Sequence, residues 1–228
     1  MTPRTRAADK RRTLRRTPLI LLICSIFVFV PNALAGGGTY AFSGGTPKQQ
    51  ATVSSALEAS GFDWGLIPRT IGIHIGAYGG DSYSAYGNIY LDQTLLDAGR
   101  FSWGVIQHEM GHQVDFFLLD DAKRAQLLQL LGGKDWCYSI SGLRHSDYGC
   151  ERFASELAWA YWQSPDNTMR PTAARDESAA IPAALFRSVL SGLIGAPSTG
   201  ASPASGTPPR AYAPVAKHAA PKAKKRRR

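Results

Sequence analysis

Two histidines four residues apart, His108 and His112, bracket a glutamate in the stretch Trp-Gly-Val-Ile-Gln-His-Glu-Met-Gly-His-Gln-Val-Asp-Phe-Phe-Leu, residues 103–118. On a helix, residues four apart leave the same face one turn from each other, so both imidazoles can share one metal ion. Glu109 then stands beside the first ligand, where its carboxylate reaches a metal-bound water without ligating the metal, as a general base must. The pattern is a complete H-E-x-x-H. Trp103, Ile106, Met110, Val114 and Phe117 recur at spacings of three and four and predict the helix that the site requires, with Ser102 as its N-cap. Gly104 and Gly111 weaken that helix. The competing reading is an amphipathic core helix that carries two histidines by coincidence, and a third ligand separates the two readings.

Known extensions of the motif place glycine three residues and His or Asp six residues after the second histidine, but here those positions hold Asp115 and Leu118. The third ligand must therefore come from another element, and a carboxylate on a second helix would complete a His₂Glu zinc site. The segment 147–162 predicts such a helix, with Phe153, Ala154, Leu157, Ala158, Tyr161 and Trp162 on its apolar face and Pro165 beyond its end. It offers Glu151 and Glu156, which are five apart and so point about 140° away from each other. Only one can face a metal, and spacing allows either. A lone histidine in a strand pattern, His74, reads as structural rather than as a ligand.

His108-Glu-Met-Gly-His112-Gln-Val-Asp115, followed across a loop by Glu151-Arg-Phe-Ala154, resembles the catalytic domain of gluzincin zinc metallopeptidases of the anthrax lethal factor type, over about 60 residues. That resemblance implies Zn²⁺ held by His108, His112 and Glu151, with Asp115 supporting a ligand or packing the helix. It also implies a small zincin-like α+β domain, a short sheet followed by the two functional helices. The chain departs from the family in lacking its substrate-recognition domains and in placing Ser155 where an acidic residue often stands four positions after the ligand glutamate. The family's tyrosine that polarises the substrate carbonyl has no cleanly spaced counterpart among Tyr138, His145 and Tyr148, of which Tyr148 and His145 are the candidates.

The elements that must position these residues are legible in outline. Residues 46–60 predict a first helix stopped by Gly61, Ile71, Ile73 and Ile75 alternate as a half-buried strand, and Asn88 to Leu91 form a short second strand. The Gly-, Ser- and Tyr-rich stretch 76–87 between them reads as loop. As the edge strand preceding the H-E-x-x-H helix, residues 88–91 could pair with an extended peptide.

The flanks differ in kind. Seven Lys or Arg against one Asp in residues 1–18, an apolar run from Leu19 to Val30, and Ala33-Leu34-Ala35 after Pro31 predict a secretory signal peptide, residues 1–35. The run is shorter than the roughly 20 residues that span a bilayer. Cys137 and Cys150, the cysteines left after cleavage, are expected to pair in an oxidising compartment, closing a short loop worth about 3 kcal/mol in the chain-entropy picture. Charge is unevenly spread beneath the formal +9 of the 228-residue chain. Residues 36–195, one domain in length, hold 11 basic and 16 acidic side chains, a net of −5, whereas residues 196–228 hold eight Lys or Arg and no acid among Pro, Ala, Ser and Gly. Such a tail cannot form a core and reads as a disordered basic arm for an anionic surface: wall polymer, lipid or nucleic acid.

These features together predict a secreted, monomeric zinc metallopeptidase acting on peptide or protein substrates by a zinc-bound water activated by Glu109, without a small-molecule cofactor. The rival readings are an inactive binding or toxin-like module on the same scaffold, and an envelope-binding protein that acts through its tail.

Overall fold

Ile71, Ile73 and Ile75 place an unbroken apolar face on one strand, and the core of the described residues is built on that face. The computed structural model describes residues 38–195; the expected signal peptide and basic tail lie outside the described residues. In chain order the elements are β1 (Tyr40–Gly44), α1 (Pro47–Glu58), β2 (Ile71–Gly76), β3 (Tyr83–Ala85), β4 (Asn88–Asp92), α2 (Gln93–Leu96), α3 (Trp103–Leu118), α4 (Asp121–Leu131), α5 (Gly149–Tyr161) and α6 (Ala183–Ile194). Short 3₁₀ turns lie at Trp64–Leu66, Gly99–Ser102, His145–Asp147 and Glu177–Ala179. The described residues form a mixed α+β structure around one four-stranded sheet. The helix expected over 46–60 is α1, fixed at its start by a capping box in which the Thr46 hydroxyl accepts from the Gln49 N–H and the Gln49 side chain accepts from the Thr46 N–H.

The strand order is β1-β2-β4-β3, with β1, β2 and β4 parallel and β3 antiparallel to β4. Residues 88–91 are therefore interior, not the edge expected from sequence; the edge strands are β1 and β3. Three residues are too few for a period-2 pattern to show, and β3 exists because the chain reverses at Gly87, whose φ of +77° suits glycine. Ile71, Ile73, Ile75, Ile89 and Leu91 join Val53 and Leu57 of α1 and Ile106, Met110 and Val114 of α3 in one apolar core. Phe153 and Leu157 of α5 and Phe186 and Leu190 of α6 complete it. On the opposite sheet face the rings of Tyr83, Tyr90 and His74 stack in a row, and His74 Nε2 lies 2.9 Å from Asn88 Oδ1. His74 is structural, as its pattern predicts.

The helix α3 is the axis of the molecule. All residues from Gly104 to Asp115 are buried, so the apolar stripe read from sequence covers only part of a helix packed on every side. Two of its buried glutamines are tied to neighbouring backbone through their side-chain amides. Gln107 donates to the Ala56 carbonyl at 2.7 Å, while Gln113 accepts from the Gly87 N–H at 2.9 Å and donates to the carbonyls of Ala85 and Asn88. The β3–β4 turn is thereby fastened to α3. Ser102 does not cap the helix: its hydroxyl donates back to the Gly99 carbonyl at 2.7 Å, because the preceding 3₁₀ turn enters α3 already in helical geometry. The glycines that lower helix propensity are points of close approach. A Cβ on Gly111 would sit 3.0 Å from Ala154 Cα, and one on Gly104 would sit 2.4 Å from Asn167 Oδ1.

Candidate metal centre

Because Gly111 lets α5 lie against α3, the first turn of α5 is held above the two imidazoles. His108 Nε2 lies 3.2 Å and His112 Nε2 3.4 Å from Glu151 Oε2, and the two Nε2 atoms are 3.1 Å apart. One ligand atom from each of the three residues falls within 4.8 Å of the others, and all three residues are buried. Glu156, on the other side of α5, faces the Ala180–Ile181 backbone, and burial pushes its carboxyl up to about 8. Of the two glutamates left open by spacing, Glu151 is the one that joins the histidines.

The donor set fits a divalent cation. Two nitrogens 3.1 Å apart can share only one proton, and Glu151 Oε2 lies within 3.4 Å of both, so a cation among them would meet three lone pairs. Burial alone would raise the Glu151 carboxyl, yet the neighbouring His112, His108 and His145 hold it well below its ordinary value. For His112, burial is outweighed by Glu151, Glu109 and Asp115, which raise its affinity for positive charge. Two imidazoles and one carboxylate form a donor set that divalent transition-metal ions accept.

Glu109 lies outside that ligand group. Its Oε2 accepts from the Ser84 hydroxyl at 2.8 Å, and Ser84 Oγ is also 2.8 Å from the Glu109 carbonyl oxygen. Burial pushes the carboxyl above its ordinary value, against the opposing influence of His108, His112 and Ser84. Ser84 belongs to β3 and escapes sequence reading because its segment looks like loop.

The three side chains considered for the polarising role are separated by the structure. Tyr138 Oη donates to Glu151 Oε1 at 2.9 Å, and burial together with that carboxylate holds the phenol protonated. His145 Nε2 lies 3.1 Å from Glu151 Oε2, and its Nδ1 is 2.6 Å from Glu177 Oε1. Although burial opposes it, those two carboxylates push the imidazole up to about 10. Tyr148 is buried and spends its hydroxyl on the Ile140 carbonyl at 2.7 Å. Its ring packs on that of Tyr138, with centroids 4.0 Å apart. A cavity of about 360 Å³ opens beside Tyr138 and His145, with Leu143 and Tyr148 also in its wall.

Cys137 and Cys150 are joined in a disulfide, as expected. Asp115 accepts from Arg124 Nε at 2.8 Å and from Trp136 Nε1 at 3.1 Å, fastening α4 and the loop after it to α3. Two further participants, Ser155 and Glu177, approach the centre from outside the ligand group. Glu177 carries no local motif, and only its place in the fold reveals it. Compared with protein-family models, with curated proteins and with solved structures, the chain matches none. Among the described residues no helix is long and apolar enough to cross a membrane.

Proposed function

We propose that this chain is a zinc metallopeptidase of zincin-like architecture, hydrolysing peptide bonds in peptide or protein substrates. One observation carries the reading: His108, His112 and Glu151 converge in a buried group while Glu109, on the same helix, stays out of it with its carboxylate raised in proton affinity. His108, His112 and Glu151 would hold the ion, which when bound supplies Lewis acidity toward a carbonyl oxygen and toward water. Glu109 accepts the proton of the attacking water and passes it to the leaving amine, a role that suits a buried carboxyl whose proton affinity burial raises. Ser84 fixes the Glu109 carboxylate so that its other oxygen keeps one direction. Tyr138, protonated and next to Glu151, is the donor for the oxyanion that develops on the carbonyl, with His145 beside it; Tyr148 drops out of that role.

Substrate would add as an extended strand to β3, the edge strand that lies beside Glu109, where Ser84 faces inward and Tyr83 and Ala85 face out. The cavity flanked by Tyr138, Leu143 and His145 would take one of its side chains. Secretion by residues 1–35, action as a monomer and attachment of the 196–228 arm to an anionic surface belong to the same proposal.

The test is metal analysis of the purified mature chain together with cleavage of a broad peptide library. One Zn²⁺ per chain and cleavage abolished by chelator are expected, with His108→Ala and His112→Ala both losing the metal. A wild-type chain that takes up no zinc at near-neutral pH, or that holds it and cleaves nothing, overturns the reading. Deleting residues 196–228 should leave turnover intact; loss of the only measurable activity would instead make the tail the functional part.

A further inference from the structure

The metal ligands all precede residue 152, yet the hydrogen bonds that orient them do not end there. His108 Nδ1 lies 3.0 Å from Ser155 Oγ, and Ser155 Oγ lies 2.8 Å from Glu177 Oε2. The other oxygen of Glu177 is 2.6 Å from His145 Nδ1, and His145 Nε2 reaches Glu151. A carboxylate only accepts, so the single hydroxyl proton of Ser155 must go to Glu177, and the hydroxyl oxygen must accept from His108 Nδ1–H. The remaining neighbour of that hydroxyl, Met169 Sδ at 3.6 Å, is a weak acceptor and does not compete. With its proton on Nδ1, His108 is left with a lone pair on Nε2, the nitrogen that faces His112 and Glu151. One carboxylate thus fixes the tautomer of a ligand through a hydroxyl and orients a second imidazole directly.

From this geometry we infer that Glu177 is a positioning residue of the metal centre. It acts through Ser155 on His108 and directly on His145, so that the segment after α5 completes a site whose ligands all come before it. The inference rests on the metallopeptidase reading above. The segment is built to hold Glu177 still. Asn167 Nδ2 donates to the carbonyls of Ala158 and Trp162 at the end of α5, at 2.9 and 2.7 Å. Asp176 Oδ2 accepts from Thr172 N, Thr172 Oγ1 and Ala173 N at 2.7 to 2.8 Å, and Ser178 donates to the Met169 carbonyl. Ser155 is buried on the face of α5 that meets α3 and has no other evident task for its hydroxyl than this relay.

Outer hydrogen-bond partners of metal-binding histidines fix ring orientation and raise ligand basicity, and their removal typically weakens metal binding 10- to 100-fold. Zn²⁺ affinity of the full chain should therefore be measured by chelator competition for wild type, Ser155→Ala, Glu177→Gln and the double variant. Each single change is expected to weaken zinc binding by about 10- to 100-fold. The double variant should match Glu177→Gln, because Ser155→Ala cuts only a path that the loss of Glu177 has already cut. The ¹H–¹⁵N spectrum of the zinc-loaded wild type, labelled at histidine, supplies a reading that needs no variant to fold: His108 should show a slowly exchanging, downfield Nδ1–H. Zinc held as tightly by both single variants as by a wild type that binds and cleaves, or His108 bound to zinc through Nδ1, overturns the role of Glu177 and leaves the metallopeptidase reading standing. Absence of zinc from the wild type overturns both.

Discussion

Tyr138 donates its hydroxyl to Glu151 Oε1 at 2.9 Å, and each of these residues directly follows one half of the Cys137–Cys150 disulfide. Covalent bridge and hydrogen bond run side by side, so the loop that carries the phenol is tied twice to the first turn of α5. Tyr138 also has φ of +57°, the one positive value at a non-glycine among the described residues. Such a conformation costs on the order of 1 kcal/mol and is kept only where surrounding contacts dictate it. Here the backbone is turned so that the ring lies over Tyr148 and the hydroxyl reaches the carboxylate.

If Tyr138 supplies the oxyanion donor, Tyr138→Phe should lower kcat by roughly 10²-fold with zinc content unchanged. Tyr148→Phe removes only the bond to the Ile140 carbonyl, which costs about 1 kcal/mol of stability and leaves kcat near wild type. Steady-state kinetics of the two variants, with metal analysis, decides between them; a larger kcat loss for Tyr148→Phe would reverse the assignment.

Glu109→Gln should keep fold and zinc but lose about 10² to 10⁴ in kcat, since an amide cannot accept the proton. Ser84→Ala frees the same carboxylate from its one side-chain donor, and a smaller loss in kcat is expected with the metal retained. Turnover near wild type in the glutamine variant would remove Glu109 from the mechanism.

Replacing both cysteines with serine opens a loop of 13 residues' separation and should cost about 3 kcal/mol in urea unfolding. Because the bridge anchors both Tyr138 and Glu151, zinc affinity should fall as well. Free thiols that react with an alkylating reagent in the native, unreduced protein would contradict the premise.

Glu151→Gln and Glu156→Gln separate the two carboxylates of α5. The first should release zinc to a mild chelator, and the second should retain it. Glu156 adds a pH signature, since a carboxyl raised to about 8 from an ordinary 4.5 binds its proton more tightly folded than unfolded. Its stabilising contribution is complete below pH 4.5 and is lost as pH climbs to about 8. Wild type should therefore lose stability over that window relative to Glu156→Gln, by a few kcal/mol at its upper end, in unfolding curves recorded from pH 5 to 9. Parallel pH profiles for the two proteins would show that Glu156 ionises normally.

Gly111→Ala forces a methyl against the α5 backbone at Ala154 and should cost about 1–3 kcal/mol despite the better helix propensity of alanine. Unfolding midpoints measure this, and a stabilised variant would show that α3 and α5 can separate without penalty.

The sequence alone carried whatever depends on neighbours along one helix or strand. His108, Glu109 and His112 share a turn of α3, so their spacing fixes their common face wherever the helix lies. The alternation of Ile71, Ile73 and Ile75 marks a half-buried strand, and the 140° between Glu151 and Glu156 guarantees that only one of them meets the histidines. The α+β class followed from the order of those local patterns, and the Cys137–Cys150 pairing from composition: a predicted secretory leader and only two cysteines after it. Tertiary structure decided what depends on elements distant in the chain. Which glutamate faces α3 followed from where α5 packs, and that packing rests on the absence of a Cβ at Gly111. The β3 strand, and Ser84 with it, is defined by pairing with β4 and not by any pattern of its own three residues. Tyr138, and not Tyr148, reaches Glu151 because of how the bridged loop folds back on α5, a choice no spacing rule encodes. Glu177 lies 22 residues beyond Ser155, and only the folded segment between them brings its carboxylate within 2.8 Å of that hydroxyl.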